Sequence, residues 1–414
     1  MPRRAFLVAG ILSALILLAK LAFPVAALGD PSGAPLPAGL HLAFPALAIA
    51  LAPLFDLWDG ITMLSQERLT AVLYGVPVAY LAYRVARLAL TRRWDGRRGL
   101  VAPLCFVACY ALFLLAGVRW RRPMAHLAGV PDTLLVADLH SHTNVSHDVK
   151  GPLQGGFDLA ASRAWHARGG FDLFFVADHN RIDGWQGRLA GRAAPVACPG
   201  EEMSLYGAHI VLLGNVDSVP RGGYADSLPG ILRLLGESES RWGALTLASI
   251  PEYDANHFAR LPEWIAAGLD GLEVSNPAPR ANRQTAAHVD SVIHLARTTG
   301  RWVAGVTDQH GMGATVQAWT LVPREAPPPG DSADAGTPPL CRAVLHTLAT
   351  RGFAATQVVE RHRVRADARW PRLLTLVAVP WEGWRAAGWA QVTSWLAWTW
   401  GIALLAAARR RVRG

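Results

Sequence analysis

Charge is scarce in this chain. Asp, Glu, Lys and Arg make up 17% of its 414 residues against 51% apolar, and the mean hydropathy is +0.21. A soluble chain carries about 25% charged residues, so part of this one belongs in lipid. Lysine is nearly absent, with only Lys20 and Lys150, so arginine carries most of the net charge of +9. Those arginines flank apolar runs, where they act as topology signals and lipid-headgroup contacts. No basic groove interleaved with aromatics is visible, so a nucleic-acid partner is not expected. The four cysteines, Cys105, Cys109, Cys198 and Cys341, form no C-x-x-C pair, which excludes a zinc finger and a disulfide scaffold and leaves the redox compartment open. There is no G-x-S-x-G elbow and no P-loop, which argues against an acyl-enzyme hydrolase and an NTPase. Aromatic and β-branched residues are too frequent for disorder, and no internal repeat is visible.

Four apolar stretches, residues 5–23, 69–90, 100–118 and 386–408, are each long enough to cross roughly 30 Å of hydrocarbon as a helix. The first reads as an uncleaved anchor, although Arg3, Arg4 and the later VAALG also fit a signal peptide. Residues 41–58 carry Pro45, Pro53 and Asp56 and could span, re-enter or lie at the interface. If they do not span, the cytoplasmic flanks hold Arg3, Arg4, Arg92, Arg93, Arg97, Arg98, Arg409, Arg410, Arg411 and Arg413. The opposite side then holds Arg68, Arg119, Arg121 and Arg122. This bias predicts an integral membrane protein of a bacterial inner membrane, with its hydrophilic region extracytoplasmic. Trp381, Trp384, Trp389, Trp395, Trp398 and Trp400 suit an interfacial belt leading into the last span. The domains expected are residues 1–131 with three or four membrane helices, a hydrophilic domain over 132–365, and 366–414 with the last helix and a basic tail.

Within 132–365, short apolar runs alternate with helical stretches, the pattern of a parallel sheet or barrel wrapped by helices. Strands are predicted at 133–138, 171–178, 194–200, 209–214, 243–249, 271–275 and 302–308, with helices around 281–299 and 341–350. Residues 323–339 read as a solvated Pro/Gly/Ser-rich loop.

Histidines and acids collect at the strand ends. DLHSHT supplies His140 and His142, whose i, i+2 spacing puts both rings on one side of an extended chain. ADHN supplies Asp178 and His179, PGEE supplies Glu201 and Glu202, GAHIVLLG supplies His209, and GVTDQHG supplies Asp308 and His310. Barrel enzymes place their sites at the rim where strand ends converge. Imidazole and carboxylate at this density suit zinc, manganese or iron, and paired ions imply hydrolysis by a metal-activated water. His126, His166, His288, His294, His346 and His362 lie on helices or flanks and read as surface or packing residues.

The ordered motifs DLHSHT, ADHN, PGEE, GAHIVLLG, GLEVSN and GVTDQHG, with LATRGFAATQ at the end, resemble the polymerase and histidinol phosphatase (PHP) superfamily over residues 133–360. The resemblance implies an α/β fold, a distorted (β/α)7 PHP-type barrel inserted between transmembrane helices, with two or three divalent ions (Zn, Mn or Fe) and a small-molecule phosphoester as substrate. It implies that His140, His142, Glu202 and Asp308 hold one ion and Asp148, His179 and His310 another, with Glu202 bridging to an ion also held by His209. Glu202 is preferred to Glu201, and Asp148 to His147. Asp138 and Asp178 would orient ligands by accepting a ring N–H, with Glu273 in a similar supporting place. One departure stands out: Ile250 replaces a histidine of the family's A-H-P stretch, so the ion shared by Glu202 and His209 either is lost or takes Asp254 or His257 instead. Asn180, Arg181 and Asn276 are candidate substrate contacts. Two other readings compete with phosphoester hydrolysis: metal-dependent cleavage of a carboxylic ester, amide or carbamate, and a degenerate ligand-binding ectodomain. Oligomeric state is not legible.

Overall fold

The computed structural model describes residues 2–92, 96–154, 156–185, 194–326 and 337–411. Most of the predicted Pro/Gly/Ser-rich loop lies outside the described residues, as do Arg93 and Arg413 and the side chains of Arg97, Arg98, Arg410 and Arg411. The chain divides into two compact units. One is Met1–Ala27, Phe44–Pro123 and His362–Gly414, and the other is Leu28–Ala43 and Met124–Arg361.

The first unit is helical. Helices Pro2–Ala22, Gln66–Thr91, Arg97–Arg119 and Trp389–Arg411 fall on the four apolar stretches. Arg3–Ala22, Gln66–Thr91 and Val101–Arg119 are long and apolar enough to cross a membrane. They expose Leu7, Ile11, Val85 and Leu104, side chains that water would reject and lipid would not. Trp389–Arg411 has the length but, among the described residues, is not one of the helices with the required hydropathy, because Gln391, Thr393, Ser394, Thr399 and four tryptophans dilute it. Residues 41–58 do not form one helix. A strand at His41–Ala43 is followed by helices Ala46–Ala50 and Ala52–Thr62, broken at Leu51, with Pro45 and Pro53 at their starts.

Two arginines used for orientation have another reason to be where they are. Arg68 is buried and donates to the carbonyls of Ala366, Ala368 and Trp370 at 3.3, 2.9 and 2.9 Å. Arg122 is buried 2.5 Å from Asp59, its guanidinium over the ring of Phe55. They are packing residues, so they carry less topological information than an exposed flank would.

The second unit is mixed α/β. Its strands, in chain order, are β1 Leu28–Gly29, β2 His41–Ala43, β3 His126–Ala128, β4 Leu134–Ser141, β5 Leu173–Val176, β6 Val196–Leu205, β7 Ala208–Leu213, β8 Leu245–Ala248, β9 Gly271–Ser275, β10 Trp302–Gly305, β11 Ala318–Pro323 and β12 Gln357–Arg361. Ten form one curled sheet in the order β1-β12-β11-β4-β5-β6-β7-β8-β9-β10, while β2 and β3 pair separately. All seven predicted strands are present, as β4 to β10. The sheet is not all parallel, because Tyr206 and Gly207 join β6 to β7 in a tight turn with φ of 56° and 63°. Positive φ at both central residues is the geometry of a hairpin turn, so β7 runs antiparallel to both neighbours. Beyond β10 the chain returns to β4: Asp308 N–H donates to His140 O at 2.8 Å, His142 N–H to Gln309 O at 3.1 Å, and Ser141 and Gln309 form a parallel bridge.

Helices flank the strands with local signals that match their ends. Asp158, Ser227 and Thr285 cap Leu159–Gly169, Leu228–Trp242 and Ala286–Thr299 by accepting from a backbone N–H. Gly170, Gly243 and Gly300 end the same helices in the left-handed conformation that glycine adopts without cost to a Cβ. Along β4, Leu135, Ala137 and Leu139 alternate with Asp138 and His140. The apolar set packs with Phe175, Val211 and Leu247 and with Val344 and Leu348 of the helix Pro339–Arg351, a predicted element. A disulfide joins Cys198 on β6 to Cys341 on that helix, a pairing 143 residues apart that spacing alone did not disclose.

Candidate metal centre

The loop ends of β4, β5, β6 and β10, with the start of β7, bring all eight predicted ligands to one place. His140 Nε2 and His142 Nε2 lie 3.1 Å apart. Glu202 Oε2 is 3.3 Å from the first and 3.4 Å from the second, and Asp308 Oδ1 is 3.6 and 3.2 Å from them. Ligand atoms about 2.0–2.2 Å from a tetrahedral ion stand about 3.3–3.6 Å from each other, so these separations are close to those of a coordination shell. The backbone explains the convergence. The β4 end pairs with the chain after β10, and Asp308 sits at φ 43°, a conformation unusual for a residue with a Cβ. Beyond β5, His179 pairs as a bridge with Glu202, which holds the ADHN and PGEE ends side by side.

A second group meets at Asp148, whose Oδ2 lies 3.2 Å from His179 Nε2 and 2.8 Å from His310 Nε2, with His142 completing the set. The His147 ring also lies near this group, its centroid 4.9 Å from that of His179. Glu202 connects the groups, its Oε2 being 3.1 Å from His179 Nδ1 and its Oε1 3.2 Å from His209 Nδ1. His209 opens β7 beside Glu202 only because the hairpin reverses the strand: Glu202 pairs with Val211, two residues from His209 and on the same face. Seven of the eight fall into three groups that could hold metal ions: His142, Asp148, His179 and His310; His140, His142 and Glu202; and His179, Glu202 and His209.

Supporting side chains fix the ligands. Glu273, fully buried, has Oε1 2.7 Å from His140 Nδ1. A carboxylate only accepts, so the ring proton sits on Nδ1 and Nε2 is left for the cluster. Asn276 Nδ2 donates to Glu273 Oε2 at 2.9 Å and to Asp308 Oδ2 at 3.3 Å, so it joins the support to the ligands. Asp138 and Asp178 depart from expectation. Asp138 accepts from His140 N–H, Thr307 N–H and the Thr307 hydroxyl, and its one ring contact among the described residues is His166 Nε2 at 2.8 Å. His166 is therefore a buried partner of the site's frame and not a ligand. Asp178 accepts from Thr143 N–H and Oγ1, both at 2.6 Å, and orients the loop after β4; among the described residues no ring donates to it.

The titration of these groups follows from burial and charge. Burial lowers the His140 imidazole, but Glu202 and Asp308 outweigh it and lift it well above the ordinary histidine range. Asp308 and Asp148 lift His310 to about 9 against burial, and Glu202 and Glu252 do the same for His209. His142, buried beside His310, falls to about 4. Glu202, Asp308 and Asp148 are held below the carboxylate range by the imidazoles, despite burial. Burial raises Asp178 to about 6 against the Thr143 hydrogen bonds. Protons on imidazole thus balance the buried carboxylates, and a divalent cation would displace them.

Other predicted residues lie beside the cluster or apart from it. Asn180 exchanges hydrogen bonds with Ser204 on β6, and exposed Arg181 lies 2.5 Å from Asp183. Ile250 is buried, its N–H donating to Glu273 Oε2 at 2.9 Å. Neither suggested replacement reaches the cluster: Asp254 faces His288 and Gln284, and His257 Nε2 lies 2.9 Å from Tyr206 O. Glu252, which the sequence did not single out, does approach, with Oε2 3.5 Å from His209 Nδ1.

No protein-family model matches this chain, and no curated protein matches it in sequence. Two solved structures are distantly similar. PsfC from Pseudomonas syringae PB-5123 has a TM-score of 0.36 and 15% identity, covering 60% of this chain and 97% of that one. An amidohydrolase from Chromobacterium violaceum, with bound sulfate and no metal, has a TM-score of 0.33 and 16% identity, covering 54% and 97%. At those scores neither likeness bears on fold or activity.

Proposed function

We propose that the second unit is a metal-dependent hydrolase of the PHP type, a distorted (β/α)7 barrel that holds two or three divalent ions, zinc, manganese or iron, and cleaves phosphoesters. The observation that carries this reading is the convergence of eight imidazole and carboxylate side chains from five separate strand ends. His140, His142, Glu202 and Asp308 would hold one ion and Asp148, His179 and His310 another, with Glu202 shared. Such ions, when bound, lower the pKa of a bound water towards about 7 and neutralise charge on a phosphoryl oxygen.

The chain's own residues prepare that chemistry. Glu273 fixes the His140 tautomer, Asn276 spaces Glu273 from Asp308, and the left-handed backbone at Asp308 aims its carboxylate at the histidines. Asn180 and Asn276 are the candidate contacts for a bound ester, and Arg181 would have to leave Asp183 to fork onto phosphate. That engagement favours a second reading in which the bond cleaved is a carbonyl ester or amide, since metal-activated water attacks either centre.

The first unit would anchor the hydrolase in a bilayer, with residues 132–365 on the extracytoplasmic side. The three apolar helices support the anchoring, and the Cys198–Cys341 disulfide supports an oxidising compartment. The test is purified full-length chain supplied with Mn²⁺ or Zn²⁺ and offered nitrophenyl phosphomonoesters, phosphodiesters and acylates. Hydrolysis of the phosphoesters is expected, acylate hydrolysis alone selects the second reading, and turnover of none overturns both.

A further inference from the structure

We infer that Glu252 is a ligand of a separate cation site, completed by His209 Nδ1 and Glu202 Oε1, and that it does the work Ile250 cannot. The inference rests on the metallohydrolase reading and adds a residue to it. Glu202 turns its two oxygens in different directions: Oε2 faces His140, His142 and His179, whereas Oε1 faces His209 Nδ1 at 3.2 Å. Glu252 Oε2 approaches the same nitrogen at 3.5 Å. One ring N–H can point at only one of these oxygens. Glu252 Oε2 is buried and has no hydrogen-bond partner among the described residues. An unsatisfied buried carboxylate oxygen is costly, and a shared cation removes that cost while satisfying the imidazole and both acids. The two separations at His209 Nδ1, 3.2 and 3.5 Å, are close to the roughly 3.3–3.6 Å edges of a first-row ion's shell.

The local backbone accounts for the geometry. Ser249 N–H donates to His209 O at 3.1 Å, and Ile250–Glu252 forms one helical turn directly after β8, the neighbour of β7. Ile250 points into the apolar cluster with Ile210, Ala248 and Leu272, while Glu252, two residues on, emerges beside His209. A site with two carboxylates and one imidazole is richer in oxygen than one with a second histidine, which shifts its preference from zinc towards manganese.

The experiment measures bound metal, independent of turnover. Full-length wild type, Glu252→Gln and Glu252→His are loaded with Mn²⁺ or Zn²⁺, dialysed against a weak chelator and analysed for ions per chain, with circular dichroism as a folding control. Glu252→Gln keeps the shape of the side chain but loses its charge and one acceptor oxygen. The expected result is that Glu252→Gln loses one ion of the wild-type complement and keeps the rest. Glu252→His should regain it, with at least a tenfold shift from Mn²⁺ towards Zn²⁺. Equal stoichiometry in wild type and Glu252→Gln overturns the inference but leaves the hydrolase reading standing. A folded Glu252→Gln that loses every ion also overturns it, and wild type that binds no ion overturns both.

Discussion

Replacing Glu273 by Gln tests whether the support of His140 matters as the geometry requires. Glu273 is completely buried and uses both oxygens: Oε1 faces His140 Nδ1 at 2.7 Å, and Oε2 accepts from Ile250 N–H and Asn276 Nδ2, both at 2.9 Å. Glutamine has the same shape but only one acceptor, so its NH₂ must meet a donor on one side. If it turns to His140, the ring must move its proton to Nε2, the atom needed for the ion. If it turns to Ile250, Asn276 and Ser249, three buried donors lose their acceptor. The first outcome weakens the ion held by His140 about 10- to 100-fold, or about 1.4–2.8 kcal/mol. The second costs about 1–3 kcal/mol of folding stability. Chelator-competition titration measures the first and thermal unfolding of the metal-free protein the second. Ions at Asp148, His179 and His310 should be retained. Unchanged affinity together with unchanged unfolding would refute the reasoning that Glu273 orients this ligand.

Further outcomes follow from the same contacts. Metal-free protein should lose stability as pH rises from about 6.5 to 9: His209 and His310, lifted to about 9 in the fold, stabilise it fully below the unfolded histidine pKa and no longer do so above their folded values. Thermal unfolding across that range checks this, and metal-loaded protein should instead bind more tightly as pH rises. Reduction, or Cys198→Ser, should lower stability by about 2–4 kcal/mol, seen as a fall in Tm, and in native protein both thiols should resist alkylation until reductant is added. Asp59→Ala should destabilise the helical unit by about 3–5 kcal/mol by removing the carboxylate beside buried Arg122, whereas Asp59→Leu with Arg122→Met should cost much less; detergent-solubilised unfolding separates them. Reporter fusions at residues 150 and 220 should be active only as extracytoplasmic reporters, and activity only as cytoplasmic ones would reverse the orientation.

The strands and their chemistry were legible where the signal is local. β4 to β10 are short apolar runs bounded by turn residues, and the candidate ligands lie within them or a few positions beyond, so extended-chain geometry put His140 with His142. The direction of β7 was also encoded, in the Tyr206-Gly207 turn, though a parallel pattern was expected. What could not be read depends on contacts between distant segments. Cys198 meets Cys341 only after the sheet has formed, and β11 and β12 gain strand character from β4 and from each other. His166 resembles any helical histidine until Asp138 is set against it. Glu252 escaped notice because it belongs to a helical turn after a strand, and only the hairpin brings His209 to it. Arg68 and Arg122 looked like flank charges because their carbonyl and carboxylate partners lie far along the chain.

The central claim is that these side chains are a cation shell. Anomalous diffraction from crystals grown with Mn²⁺ or Zn²⁺ tests it directly. Peaks are predicted about 2.0–2.2 Å from His140 Nε2, His142 Nε2, Glu202 and Asp308, and from Asp148, His179 and His310. A map with no peak among these residues, from crystals soaked at saturating metal, would contradict it.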